Sequence, residues 1–111
     1  MDVSTTTYKR CDLLKPHGRI DSATAPKFAE AVQAITDQLR YRIVLDMKEV
    51  EFMSSAGLRI LINAQKTCKR YNRGEVVLSR VPVNIKAALD LSGFTNLFKL
   101  FDEIVEAVGN F

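Results

Sequence analysis

"YRIVLDMKEVEFMSSAGLRIL", residues Tyr41 to Leu61, joins two different patterns. Tyr41 to Met47 is rich in β-branched and apolar residues and reads as a buried strand. Beyond Ser54, the residues Leu58, Leu61, Ile62 and Gln65 fall along one side of a helix. Ser54 and Ser55 stand where the helix begins. A buried strand leading into an amphipathic helix is half of a βαβ unit, so this stretch points to a parallel sheet with helical crossovers.

The flanks repeat the alternation. Downstream, Gly74 is placed to end the helix in a left-handed turn, and "EVVLSRV" (Glu75–Val81) reads as a further buried strand. Pro82 opens a helix carrying Ile85, Ala88 and Leu89, which Gly93 closes. "LFKLF" (Leu97–Phe101) reads as a last short strand, and Ile104, Val105 and Val108 mark a short terminal helix. Upstream, Tyr8 to Lys15 reads as a leading strand, with Pro16 at an edge or strand end. "HGRID" then turns the chain into a second extended piece. From Ser22 a helix carries Phe28, Ala31, Val32, Ile35 and Leu39, with Ser22 or Thr24 as cap and Pro26 in its first turn. The expected fold class is α/β, with a small, largely parallel (mixed) sheet of four to five strands and about four helices.

Composition sets the limits. The 111 residues are 47% hydrophobic and 26% charged with both signs interspersed, which suits one compact domain, residues 1–111, rather than a disordered chain. Net charge is only +3, so "KTCKRYNR" (Lys66–Arg73) reads as cations in the last turn of a helix rather than as a nucleic-acid patch, and no aromatic platform is evident among them. Cys11 and Cys68 form no metal or redox spacing and are expected to be reduced and packed, as in a cytoplasmic protein. "MDVSTTTYKR" lacks the apolar stretch of a secretory signal, and no apolar run approaches the roughly 20 residues that span a bilayer. No cofactor, no direct contact with nucleic acid and no insertion into a membrane is expected.

Three chemistries suit the serine pair. One hydroxyl can cap the helix, worth about 1 kcal/mol relative to Ala. A nucleophilic Ser55 would need a base, yet Met53-Ser54-Ser55-Ala56-Gly57 lacks the first glycine of a nucleophile elbow. The single histidine, His17, lies in a predicted turn without an evident partner, and no S-x-x-K is formed. A nucleotide pocket has no glycine-rich motif to support it. A covalent phosphate on Ser55 is a different case: it adds about −1.5 to −2 charge at a helix end that favours anions, with Gly57 leaving the backbone uncovered.

"IVLDMKEVEFMSSAGLRIL" (Ile43–Leu61) resembles the central motif of STAS-domain proteins, specifically bacterial anti-sigma factor antagonists. In that motif a strand ending in Asp leads to Asp-Ser-x-Gly-Leu at a helix start. "GRID" (Gly18–Asp21) resembles the family's Gly-x-Leu/Ile-Asp element, and "ALDLSGFTNLFKLF" (Ala88–Phe101) is similar to its closing helix, Ser-Gly turn and final strand. The resemblance covers about residues 8 to 108, with Ser54 standing where the family usually has Asp. It implies that Ser55 is the phosphorylated residue and that the unmodified protein binds an anti-sigma factor that is also a serine kinase. That kinase, with its own ATP and magnesium, switches binding off, and a PP2C-type phosphatase restores it. The expected partner-binding residues are Asp21, Ser54, Ser55, Gly57, Arg59 and Asn63, with Lys66 on the same exposed helix face. The alternative within the fold is an accessory subunit of a membrane transporter or multi-protein sensor, without regulated phosphorylation.

Overall fold

The computed structural model describes residues 1–111. Along the chain run β1 (Asp2–Thr7), β2 (Asp12–Ile20), α1 (Ala25–Thr36), β3 (Arg42–Asp46), β4 (Val50–Met53), α2 (Ser55–Lys69), β5 (Glu75–Ser79), α3 (Val83–Leu91), β6 (Leu100–Phe101) and α4 (Ile104–Gly109). The sheet order is β1-β2-β3-β5-β6; β1 pairs antiparallel with β2 and the other pairings are parallel. β4 pairs in parallel with the far half of β2, after a bulge at Gly18/Arg19. The α/β class and the largely parallel, mixed sheet are as the sequence predicts.

Six strands form rather than the four to five expected, because β1 and β4 carry little apolar pattern. β1 is mostly exposed and threonine-rich, so no apolar face announces it. β4 is four residues long and buries only its two ends, Val50 and Met53. Pro16 neither ends β2 nor lies on an edge. It falls between the ladder to β3 (residues 12–14) and the ladder to β4 (residues 18–20), where a missing N–H breaks neither. "HGRI" is therefore a continuation of β2 rather than a turn.

β3 and β5 are buried on both faces, which explains their unbroken apolar runs. Ile43, Leu45, Val76 and Leu78 join the main core with Phe28, Val32 and Ile35 of α1, Leu61, Ala64 and Cys68 of α2, and Ile85 and Leu89 of α3. Val44 and Val77, on the opposite face, pack with Cys11 and with Ala107 of α4. Both cysteines are free and buried, and burial pushes the Cys68 thiol up to about 11. Each fully buried aliphatic or aromatic side chain contributes roughly 1.5–3 kcal/mol, so Phe28 and Leu61 alone anchor α1 and α2 firmly.

The buried Asp12, Asp46 and Gln65 are paired in ways that fix the strand ends, whereas the Ser79 hydroxyl at the end of β5 has no partner. Asp12 accepts from Arg40 Nε at 2.6 Å, and the fully buried Asp46 accepts from Arg80 Nε and Nη2 at 3.1 and 2.6 Å. Arg80 holds a left-handed backbone (φ 50°), a conformation whose cost the two-pronged carboxylate contact offsets. Gln65, buried on α2, donates to the Val76 carbonyl and accepts from its N–H. β6 meets β5 only from Leu78 onward, so Gln65 acts as the missing strand there.

Two expectations are corrected. Leu39 is 78% exposed and left-handed (φ 60°); it follows the end of α1 rather than extending its buried stripe. Gly74 is not the residue that terminates α2, because Tyr71 and Asn72 take the left-handed conformations in the 3-10 turn Arg70–Asn72 that follows it. Gly74 is needed for close approach instead: a Cβ there would lie 2.2 Å from the Tyr41 carbonyl oxygen. Gly74→Ala is therefore expected to lower the urea-unfolding free energy by about 1–3 kcal/mol. Gly109→Ala, whose Cβ meets nothing, should stay within about 0.5 kcal/mol of wild type.

Candidate functional site

β2 and β4 run side by side to a common end, where Ile20 pairs with Met53. The next residue of each strand is polar: Asp21 after β2, Ser54 after β4. The Ser54 N–H donates to the Ile20 carbonyl at 2.8 Å, which carries the chain past the sheet edge and starts α2 beside Asp21. Ser54 has extended backbone and is the N-cap; its Oγ accepts from the Gly57 N–H at 3.4 Å. The capping role falls on Ser54 and leaves Ser55 free.

Ser55 is the first residue of α2 and is exposed. No preceding turn exists to accept the N–H groups of Ser55 and Ala56, so they remain available to an anion at the positive end of the helix. Arg59 and Asn63 follow at intervals of four and are also exposed, as is Lys66. With Ser55 they form one outward stripe of α2. No carboxylate lies within ion-pairing distance of Arg59, so its guanidinium is open to an outside partner.

Gly57 has a different place from the one expected. It is buried, not an open stretch of backbone, and a Cβ there would meet Ile20 Cγ2 at 2.6 Å and Met53 Cγ at 3.1 Å. Its absent side chain lets the first turn of α2 settle onto the paired strand ends. It positions Ser55 and is not a contact surface.

Asp21 is half-buried and organises the turn into α1. Its Oδ1 accepts from the N–H groups of Ala23 and Thr24 at 3.0 and 3.1 Å. Thr24 stands at the N-cap of α1, yet its hydroxyl donates to the Arg19 carbonyl at 2.7 Å, and Ser22 plays no capping part. The hydrogen bond from the Thr24 backbone, helped by that from Ala23, holds the Asp21 carboxyl below its usual range. His17 is not in a turn but on β2, and its imidazole lies 3.9 Å from Glu49.

A shallow groove beside Ser55 separates α2 from α3. Leu58 lines one wall and Ile85 and Ala88 the other, with Met53 and Ser54 at the end near Ser55. Asn84 fixes α3 here by donating to the Glu51 carbonyl of β4 at 3.1 Å. Val83 and Leu91 lie on the outer side of α3 at 87% and 90% exposure, with Ala87 exposed between them. This apolar outer row lies on the opposite side of α3 from the inner residues Ile85, Ala88 and Leu89 that mark the helix in the sequence. Apolar residues four apart at 83, 87 and 91 were the signal.

Asp21 titration has a definite sign. A carboxylate whose pKa is lowered by folding stabilises the native state fully above its unfolded pKa of about 3.9, and that contribution is lost as pH falls through the lower native value. The melting-temperature gap between wild type and Asp21→Asn is therefore expected to be widest near neutral pH. It should close as the buffer is taken below about pH 4, followed by circular dichroism.

Comparisons with known proteins bear on the family and the fold. The anti-sigma-B factor antagonist of Listeria monocytogenes is 32% identical over 95 residues, covering 84% of this chain and 81% of that protein. The anti-sigma factor antagonist SpoIIAA in its unphosphorylated form superposes with a TM-score of 0.82 at 14% identity, covering 98% of this chain and 95% of that one. The phosphorylated form of SpoIIAA, a Bacillus cell fate determinant, gives 0.77 at 13% identity, with 98% of both chains covered. The murine anion transporter Slc26a9 contains the same fold, with a TM-score of 0.79 at 17% identity over 95% of this chain but 18% of its own. At such identities the structural likenesses establish the fold alone. The STAS domain family matches residues 2–107, nearly the whole length, and the chain belongs to that family.

Proposed function

We propose that this protein is an anti-sigma factor antagonist whose binding is switched by phosphorylation of Ser55. The observation that carries the reading is the division of labour at the start of α2. Ser54 makes the cap, while Ser55 stands exposed beside it with nothing structural to do. The names of the relatives supply the partner class, and a solved relative exists in phosphorylated and unphosphorylated forms.

In this reading the unmodified face is mostly apolar and neutral, with one open cation, Arg59. It comprises Ser55, Arg59 and Asn63 on α2, the α2–α3 groove, and the outer row of α3. Asp21 and Ser54 border it; Gly57 supports it from beneath. An anti-sigma factor that is also a serine kinase docks there and releases its sigma factor. It transfers the γ-phosphoryl group of its own ATP, with magnesium, to the Ser55 hydroxyl. The Ser55 O–H proton leaves, a phosphomonoester forms, and ADP departs with the kinase. Water and a PP2C-type phosphatase later return serine and inorganic phosphate. The chain itself serves as substrate and ligand, and catalyses nothing.

The magnitudes are sufficient. Converting a nanomolar complex to a micromolar one requires about 4 kcal/mol. Two unit charges of like sign about 5 Å apart repel by roughly 3 kcal/mol at an effective dielectric near 20. A phosphate of nearly two charges facing one partner carboxylate reaches the requirement. At its own helix end the same phosphate gains about 0.3–1 kcal/mol, so the switch acts on the interface and spares the fold.

Incubation with ATP and the anti-sigma factor serine kinase of the same genome is expected to add one phosphate, mapped by tandem mass spectrometry to Ser55 and not Ser54. Ser55→Ala should keep its melting temperature and its affinity for the kinase while accepting no phosphate. Absence of any phosphate, together with capture of transporter or sensor subunits, would instead favour the accessory-subunit reading.

A further inference from the structure

The pole opposite Ser55 gathers a cluster of cations with few carboxylates among them. Parallel strands β3 and β5 start there, at the register pair Arg42 and Glu75, whereas α2 starts at the other ends of the strands. Two adjoining grooves, sharing Arg42 and Arg73, are lined by seven of the sixteen lysines and arginines and by only two side-chain carboxylates, Asp12 and Glu75. The local excess is five positive charges on a chain whose net charge is +3. The basic stretch Lys66–Arg73 thus contributes to a charged pole drawn from several elements.

The cations there divide into two groups. Arg40 is engaged by Asp12 and by the Tyr8 and Cys11 carbonyls, Arg73 by the Thr67 and Arg70 carbonyls, and Arg10 by the Phe111 carbonyl at 3.5 Å, so these three build the walls. Lys9, Arg42, Lys69 and Lys99 are exposed, and of these only Lys99 forms an ion pair, with Glu75 at 3.4 Å, although Arg42 is the register partner of the same Glu75. Lys9 precedes β2, Arg42 begins β3, and Lys99 precedes β6, with β5 between the last two. At about 4.8 Å per strand, β2 to β6 spans about 14 Å, the length of four or five extended residues.

We infer that this pole is a second docking surface, for an extended Asp/Glu-rich segment of a protein partner. The aromatic residues argue for peptide over single-stranded nucleic acid. Arg73 lies 3.8 Å from the Tyr41 ring centroid and 5.8 Å from that of Tyr71, so the guanidinium already occupies the ring faces on which bases would stack. Free ammonium and guanidinium groups spaced across strand starts suit carboxylates on successive residues. The surface lies at the far end of the sheet from Ser55, so an occupant here leaves the phosphorylation face open. One protein can then hold both partners together.

Fluorescence anisotropy with fluorescein-labelled octaglutamate and, separately, labelled (dT)8 on the full chain near 0.15 M salt tests the inference. Octaglutamate should bind more tightly than (dT)8. Arg42→Glu combined with Lys69→Glu should weaken it by about tenfold or more. Ser55→Asp should leave it unchanged. If the reversals lower the melting temperature, Arg42→Gln with Lys69→Gln provides the same comparison with a smaller loss. No octaglutamate binding, equal binding by the folded charge variants, weakening by Ser55→Asp, or tighter binding of (dT)8 would each overturn the inference. The Ser55 switch could fail its own test with this result intact.

Discussion

The contact between Gly57 and Ile20 is the constraint on which the site depends. Ile20 ends β2 in register with Met53, its carbonyl takes the Ser54 N–H, and its side chain fills the space a Cβ on Gly57 would need. Those three facts fix where α2 begins and at what angle. Once α2 starts there, Ser54 is the residue with extended backbone and a hydroxyl near the Gly57 N–H. Ser55 is the first residue turned outward. A bulkier residue at 57 would lift the helix from the strand ends and blur the distinction between the two serines.

That distinction joins structure to function. A cap hydroxyl is committed to the fold, and modifying it would cost the helix a hydrogen bond. The neighbouring hydroxyl carries no such commitment. It sits where free N–H groups and the helix dipole favour negative charge, so a phosphate can be added without unfolding the domain. The partner feels the whole charge change while the host feels little. The groove toward α3 and the exposed row Val83, Ala87 and Leu91 then provide the apolar area that a charge switch needs beside it.

Much of this was legible in the residues. β3 and β5 are buried on both faces and so announce themselves as apolar runs, and α2 shows its buried side through Leu61 and Gln65. The serine pair could be placed at a helix start from spacing alone. What remained hidden depends on contacts distant in sequence. β1 is held by its ladder to β2, not by an apolar face. Pro16 is tolerated because two different strands share β2, one on each side of it. Gly74 is small because Tyr41 passes close by, and Gly57 because Ile20 does. In both cases the glycine was visible but its neighbour was not.

Isothermal titration of the anti-sigma factor kinase against two forms of the full chain tests the central claim most directly: one unmodified, one carrying genetically encoded phosphoserine at position 55. The account predicts a loss of affinity of about a thousandfold on phosphorylation, equivalent to about 4 kcal/mol, with a melting temperature close to that of the unmodified protein. Equal affinity of the two forms, or a modified protein that no longer folds, would contradict it.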